Sequence, residues 1–134
     1  MNKQVIALAS DEETEVMWDI DALLSDHSDR ASVEVDTRRL TPESWLTIDS
    51  DYAMKTDLDT PIILFELPGH LLFIADGNHR LYRAVKEGVP TMKVIVIPQE
   101  IHLSYLFRSS VADYYRVIAS LKNENIFIED FFQR

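Results

Sequence analysis

The sequence predicts an α+β fold: a small mixed β-sheet with flanking helices, plus a C-terminal amphipathic helix. Three observations carry that expectation. Two nearly continuous apolar runs, TPIILFEL at 60–67 and HLLFIAD at 70–76, sit almost back to back. A helical period takes over at Gly77, and a second one occupies 111–121. Unbroken apolar runs of strand length mark central strands covered on both faces, whereas spacings of three and four mark helices with one buried side.

Each element can be justified in chain order. KQVIALAS at 3–10 reads as a short first strand running into an acidic segment. DIDALLSDH at 19–27 reads as a short helix, with Asp19 as N-cap and Ile20, Leu23 and Leu24 on one face. ASVEVDT at 31–37 alternates Val33 and Val35 with Glu34 and Asp36, the period of a half-buried strand. TPESW then offers Thr41 as N-cap, Pro42 at the first helical position and Trp45 as an anchor. Residues 46–59 read as loop with some helix. The runs at 60–67 and 70–76 form a hairpin, and Pro68-Gly69 predicts a loop longer than two residues, because a type II turn fits a two-residue hairpin poorly. Leu81, Ala84 and Val85 share one side of a helix that ends at Gly88, with Pro90 blocking its continuation. TMKVIVIP is a further strand. Ser110 and Asp113 form a capping box for a helix whose apolar side carries Val111, Tyr114, Tyr115, Ile118 and Leu121. The apolar tail NENIFIEDFF needs something to pack on.

Composition narrows the function. A chain of 134 residues, 46% hydrophobic and 27% charged, reads as one soluble globular domain, 1–134. No apolar run reaches the roughly 20 residues of a membrane span, and the N-terminus lacks the pattern of a signal peptide. A cytoplasmic location is the expectation. Without cysteine there is no disulfide framework and no thiolate chemistry. Twenty-three acidic residues against 13 basic give a net charge of -10, which weighs against nucleic-acid binding. Residues 4–29 carry Asp11, Glu12, Glu13, Glu15, Asp19, Asp21, Asp26 and Asp29 without a Lys or Arg. That segment is either a solvated face or a docking face for a basic protein partner.

The chemistry concentrates at ADGNHR, residues 75–80, where strand turns into helix. A strand that ends at a glycine and opens directly into a helix leaves first-turn N–H groups unpaired, and these with the helix dipole favour an anion. Gly77 permits close approach, Asn78 and His79 add hydrogen-bonding groups, and Arg80 and Arg83 can fork onto phosphate or carboxylate. The bland alternative is equally concrete. Asp76 caps the helix, Gly77 turns the chain, and Arg83 pairs with Glu87 at i, i+4.

The segment IADGNHRLYRAVKEGVPTMKVIVIP resembles the signature of the ParB/sulfiredoxin superfamily: a strand, a D-G-x-x-R turn, a helix with R-x-x-A, a glycine near its end, and a strand. VEVDTRRLTPESW and TPIILFEL resemble that family's upstream strand, helix and P-I-x-x strand. The resemblance spans residues 31–98 and is strongest at 74–97. It leaves 1–30 as an acidic N-terminal extension and 99–134 as a helical C-terminal extension. It implies that Gly77, Asn78, His79, Arg80 and Arg83 hold the phosphates of ATP, ADP or CTP with Mg2+, and that Asp76 precedes the turn as an orienting or metal-linked acid. It is closest to the stand-alone small-molecule kinase-like members. Phosphoryl transfer would also need a base, for which Glu34, Asp36 and Asp76 are the candidate carboxylates, and His79 could donate to the moving group.

Departures from the family narrow this. Asn78 stands where sulfiredoxins carry their cysteine, which excludes sulfinic-acid reduction. Only 36 residues follow Pro98, and no basic surface is apparent, which disfavours a DNA-clamping partition protein or a nuclease. His27, His70 and His102 show no zinc spacing, and there is no G-x-S-x-G elbow and no P-loop. Three readings follow, in order: a nucleotide- or phosphate-binding domain, as an enzyme a phosphotransferase or nucleotide hydrolase; a non-enzymatic acidic module such as an antitoxin, immunity protein or inhibitor; and a DNA-binding protein.

Overall fold

The computed structural model describes residues 5–9, 15–40, 49–69, 71–120 and 126–127. The Thr41-Pro42-Trp45 helix, His70, Leu121 and most of the apolar tail lie outside them. The fold is α+β. Strands β1 (Val5–Ala9) and β2 (Glu15–Asp19) pair as an antiparallel hairpin. The central sheet has the order β3-β6-β4-β5-β7, from β3 (Val33–Asp36), β4 (Ile62–Leu67), β5 (Leu71–Asp76), β6 (Thr91–Ile97) and β7 (Ile126–Phe127). Only β4 and β6 run parallel, so the sheet is mixed. Helices are α1 (Ile20–His27), α2 (Ser50–Ala53), α3 (Asn78–Glu87), α4 (Gln99–His102) and α5 (Val111–Ser120). Among the described residues, no helix is long and apolar enough to cross a membrane.

Local chemistry explains the boundaries. The Asp19 carboxylate accepts from the Ala22 N–H at 3.0 Å and starts α1. At α5 the capping box closes both ways, Ser110 N–H to Asp113 at 3.1 Å and Asp113 N–H to Ser110 Oγ at 3.0 Å. Gly88, at φ 70, closes α3 in the left-handed conformation, and its N–H bonds back to α3 carbonyls. β4 and β5 join through three residues, 68–70, with Leu67 opposite Leu71 and Gly69 at φ 80. Val85 corrects the expected helix face. It is 49% exposed, while Leu81 and Ala84 alone carry the buried stripe of α3.

Strand alternation divides the core in two. Ile62, Leu64, Leu72, Ile74, Met92 and Val94 face α3, where they meet Leu81, Ala84, Val35 and Leu40. Ile63, Phe65, Phe73, Ile95 and Ile97 face the other way. That second side is covered by the two terminal regions: Val16, Trp18, Ile20 and Leu23 come from β2 and α1, Tyr114 and Val117 from α5. Among the described residues, the regions on either side of 31–98 therefore supply six of the 14 buried residues of that second cluster. They are also stitched together directly, since the Phe107 N–H donates to the Met17 carbonyl at 2.8 Å and the Met17 N–H to Ser109 Oγ at 3.0 Å.

Candidate functional site

β5 ends at Asp76, and the pairing register of β4 against β5 shifts between Ile63 and Leu64. Asp76 thus lies opposite Ile63 rather than one residue further along, a local irregularity of the kind that re-aims a terminal side chain. Gly77 follows with φ 112 and opens α3 as its N-cap, without a side-chain cap. Two things demand glycine here. The backbone is left-handed, and a Cβ would lie 2.9 Å from Ile62 Cγ1 and 3.2 Å from Ile62 Cα. The Leu81 N–H closes the first helical bond onto the Gly77 carbonyl at 2.9 Å, leaving the amides of 78–80 as a first turn that no described side chain caps.

The side chains predicted for this turn are present, but their cations are already engaged. Arg80 folds back over the turn, and its Nη2 donates to Asp76 Oδ2 and to the Pro61 carbonyl, each at 3.1 Å. Both partners of the pair are largely buried, and Arg80 Nε is buried with no hydrogen-bond partner. Asp76 is therefore the counter-ion of Arg80 and not the cap of α3. Arg83 donates through Nε to Glu87 at 2.9 Å and through Nη1 to the Thr56 carbonyl. His79 is turned sideways. Its Nε2 accepts from the Asp49 N–H at 3.2 Å, which places the ring proton on Nδ1. Asn78 and His79 remain partly accessible beside the uncapped amides.

The other two candidate carboxylates are elsewhere. Asp36 ends β3 and lines a cavity of about 550 Å³ with Thr37, Arg38, Leu40, Ala84, Val85 and Gly88–Pro90. That cavity is at the far end of α3, a helix of 10 residues, hence about 15 Å long. Arg38 binds the Asp36 carboxylate through Nη2 at 2.8 Å and through its backbone N–H at 2.9 Å. These bonds hold the carboxyl down at about 2, so Asp36 is a poor proton acceptor. Glu34 stands exposed across from Lys93 on the β3–β6 ladder. Neither reaches the turn. No cluster of three or more His, Cys, Asp or Glu that could hold a metal occurs among the described residues.

Two residues with no sequence signal emerge. Tyr52 lies in the segment whose pattern was least readable, and it is 57% exposed beside His79. His102 is completely buried, stacked on Phe65 at 4.5 Å and edge-on to Trp18 and Tyr114. Its Nε2–H donates to the Glu66 carbonyl at 2.8 Å while Nδ1 has no partner. Burial pushes its pKa down to about 4, against the opposing pull of the Glu66 carbonyl and the Glu100 charge. An imidazolium there would bury a second N–H with nothing to accept it, so this histidine is a neutral core residue. Comparison with protein-family models, with curated proteins and with solved structures finds no match to this chain.

Proposed function

We propose that the protein binds a nucleotide, or another phosphorylated small molecule, at the start of α3. One observation carries the reading. A left-handed glycine opens a helix of 10 residues with no side-chain cap, so the amides of 78–80 are left for an outside acceptor. The resemblance of residues 74–97 to the ParB/sulfiredoxin superfamily points to the same turn. Arg80 lies behind the turn, only 14% exposed and with its charge balanced by Asp76, so the amides and not the guanidinium meet the anion. ATP, ADP or CTP with Mg2+ are the probes to try. The proposal stops at binding, because Asp36 lies at the other end of the helix, Glu34 stands across from Lys93 on the β3–β6 ladder, and Asp76 is committed to Arg80.

The test is a pair of measurements on Asn78→Asp. An acid in the first turn favours the free helix through its dipole, by about 0.3–1 kcal/mol, yet repels an anion at the same amides. Wild type should show a nucleotide-dependent rise in melting temperature, which the variant loses while its own melt stays equal or rises. If millimolar nucleotide leaves the wild-type melt unmoved, or the variant responds like wild type, the reading fails.

A second reading, a non-enzymatic module for a basic protein partner, draws on α1. That helix buries Ile20 and Leu23 while Asp21, Asp26 and the following Asp29 are exposed. It predicts salt-sensitive association that Asp21→Lys with Asp29→Lys abolishes.

A further inference from the structure

The most exposed of the large apolar side chains among the described residues belongs to Tyr52, at 57%. Its neighbours fix it in place. The Asp49 carboxylate accepts from the backbone N–H groups of Asp51 and Tyr52, at 3.1 and 3.2 Å, and so starts α2. The Asp49 N–H in turn donates to Nε2 of His79, the second residue of α3. The Tyr52 ring then meets the His79 ring edge-on, centroids 4.9 Å apart and planes at 83°. The ring is open to solvent, while its backbone N–H is held by the Asp49 carboxylate and the two rings of Tyr52 and His79 meet edge-on. Ordering it has already been done, so a flat partner loses little entropy by settling on it.

We infer that Tyr52 is the stacking platform for the base of the nucleotide whose phosphates sit at the start of α3. The inference rests on the reading above and adds where the rest of the ligand goes. Position argues for it, because a single imidazole separates the ring from the uncapped amides. Charge argues for it too. Asp49 and Asp51 make the α2 side acidic and exposed, which suits a neutral base and repels phosphates, so the two ends of a nucleotide would sort themselves. Stacking tolerates any base, so adenine and cytosine nucleotides are both admitted.

Three ligands separate the contributions: ATP, tripolyphosphate, which has the phosphates without the base, and adenosine, which has the base without the phosphates. Affinities are measured by calorimetry, with Mg2+, for wild type, Tyr52→Leu and Tyr52→Phe. Tyr52→Leu keeps an apolar contact to His79 but has no aromatic face, and matched melting curves would establish that it folds. The expectation is that Tyr52→Leu weakens ATP by roughly 5- to 150-fold, leaves tripolyphosphate unchanged, and that Tyr52→Phe retains both. Equal loss of ATP and tripolyphosphate, or loss of neither, overturns the platform while leaving phosphate binding intact. If tripolyphosphate does not bind wild type at all, the phosphate reading falls by itself. Adenosine then decides: binding that Tyr52→Leu removes keeps the platform, and no such binding overturns it.

Discussion

One side of the central sheet is aliphatic and is covered by α3, a helix that follows β5 after a single residue. The other is aromatic and is covered by pieces from opposite ends of the chain, with Trp18 touching Phe65, Phe73, His102 and Tyr114. On the first side the buried residues other than Val35 and Leu40 all fall within 62–94. On the second, Val16 and Val117 belong to the same cluster. The aliphatic side therefore closes few long loops and is set by local pattern, while the aromatic side exists only after both termini have docked. It follows that the two sides should fail differently.

The largest expected effect is on the aromatic side. Trp18→Ala removes a fully buried ring at the centre of that cluster and should cost about 3–5 kcal/mol. Trp18→Phe should cost less than about 1.5 kcal/mol, since it keeps a ring and deletes an indole N–H that is buried without a partner. Chemical denaturation of both variants checks this, and similar losses would mean the cluster is held by something other than packing.

Acid should loosen the same side next. His102 is neutral in the fold at about 4, against about 6.5 when unfolded. Between those values the unfolded chain binds the extra proton, so stability is complete above the upper value and falls as pH drops toward the lower. The span corresponds to about 3 kcal/mol. Denaturation from pH 7.5 to 4.5 should show that decline, and His102→Gln should flatten it. The Asp36–Arg38 pair does not interfere in this window, because a carboxyl held at about 2 in the fold loses its contribution only as pH falls below the unfolded value of about 3.9.

The two glycines of positive φ that flank α3 sharpen its side of the comparison, and only the second of them is a small effect. Gly77→Ala combines a left-handed alanine, about 1–2 kcal/mol, with a methyl forced against Ile62, about 1–3 kcal/mol. Gly88→Ala meets nothing within 4 Å, so it pays only the first cost, about 1 kcal/mol. Thermal melts of the two variants should therefore separate clearly, and equal losses would show that Ile62 yields without strain.

The same contrast explains what the sequence made legible. Period and caps marked β3, β4, β5, α3 and β6, the N-cap of α1 and the capping box of α5, because each of those signals is local. The hairpin partner β2 was missed: EVMWD lies within an acidic stretch, and its buried Val16 and Trp18 gain meaning only against Phe65 and Tyr114. His102 was unreadable for the same reason. At the turn, residue types were legible and directions were not. Arg80 and Arg83 advertised two forks for an anion; the pairing of Arg83 with Glu87 was legible from its spacing, but nothing in 75–83 reports the carbonyls of Pro61 and Thr56. Tyr52 needed α2 to be placed beside His79 before it had a context.

Arg80 also does something mechanical. Pro61 precedes β4 and Asp76 ends β5, so one guanidinium holds the open mouth of the hairpin shut, opposite its loop. A ligand that drew Arg80 outward would have to release that clasp and let the first rungs of the ladder breathe. Capture through the backbone amides leaves the clasp closed, whereas capture through the arginine would trade grip on the ligand for grip on the sheet.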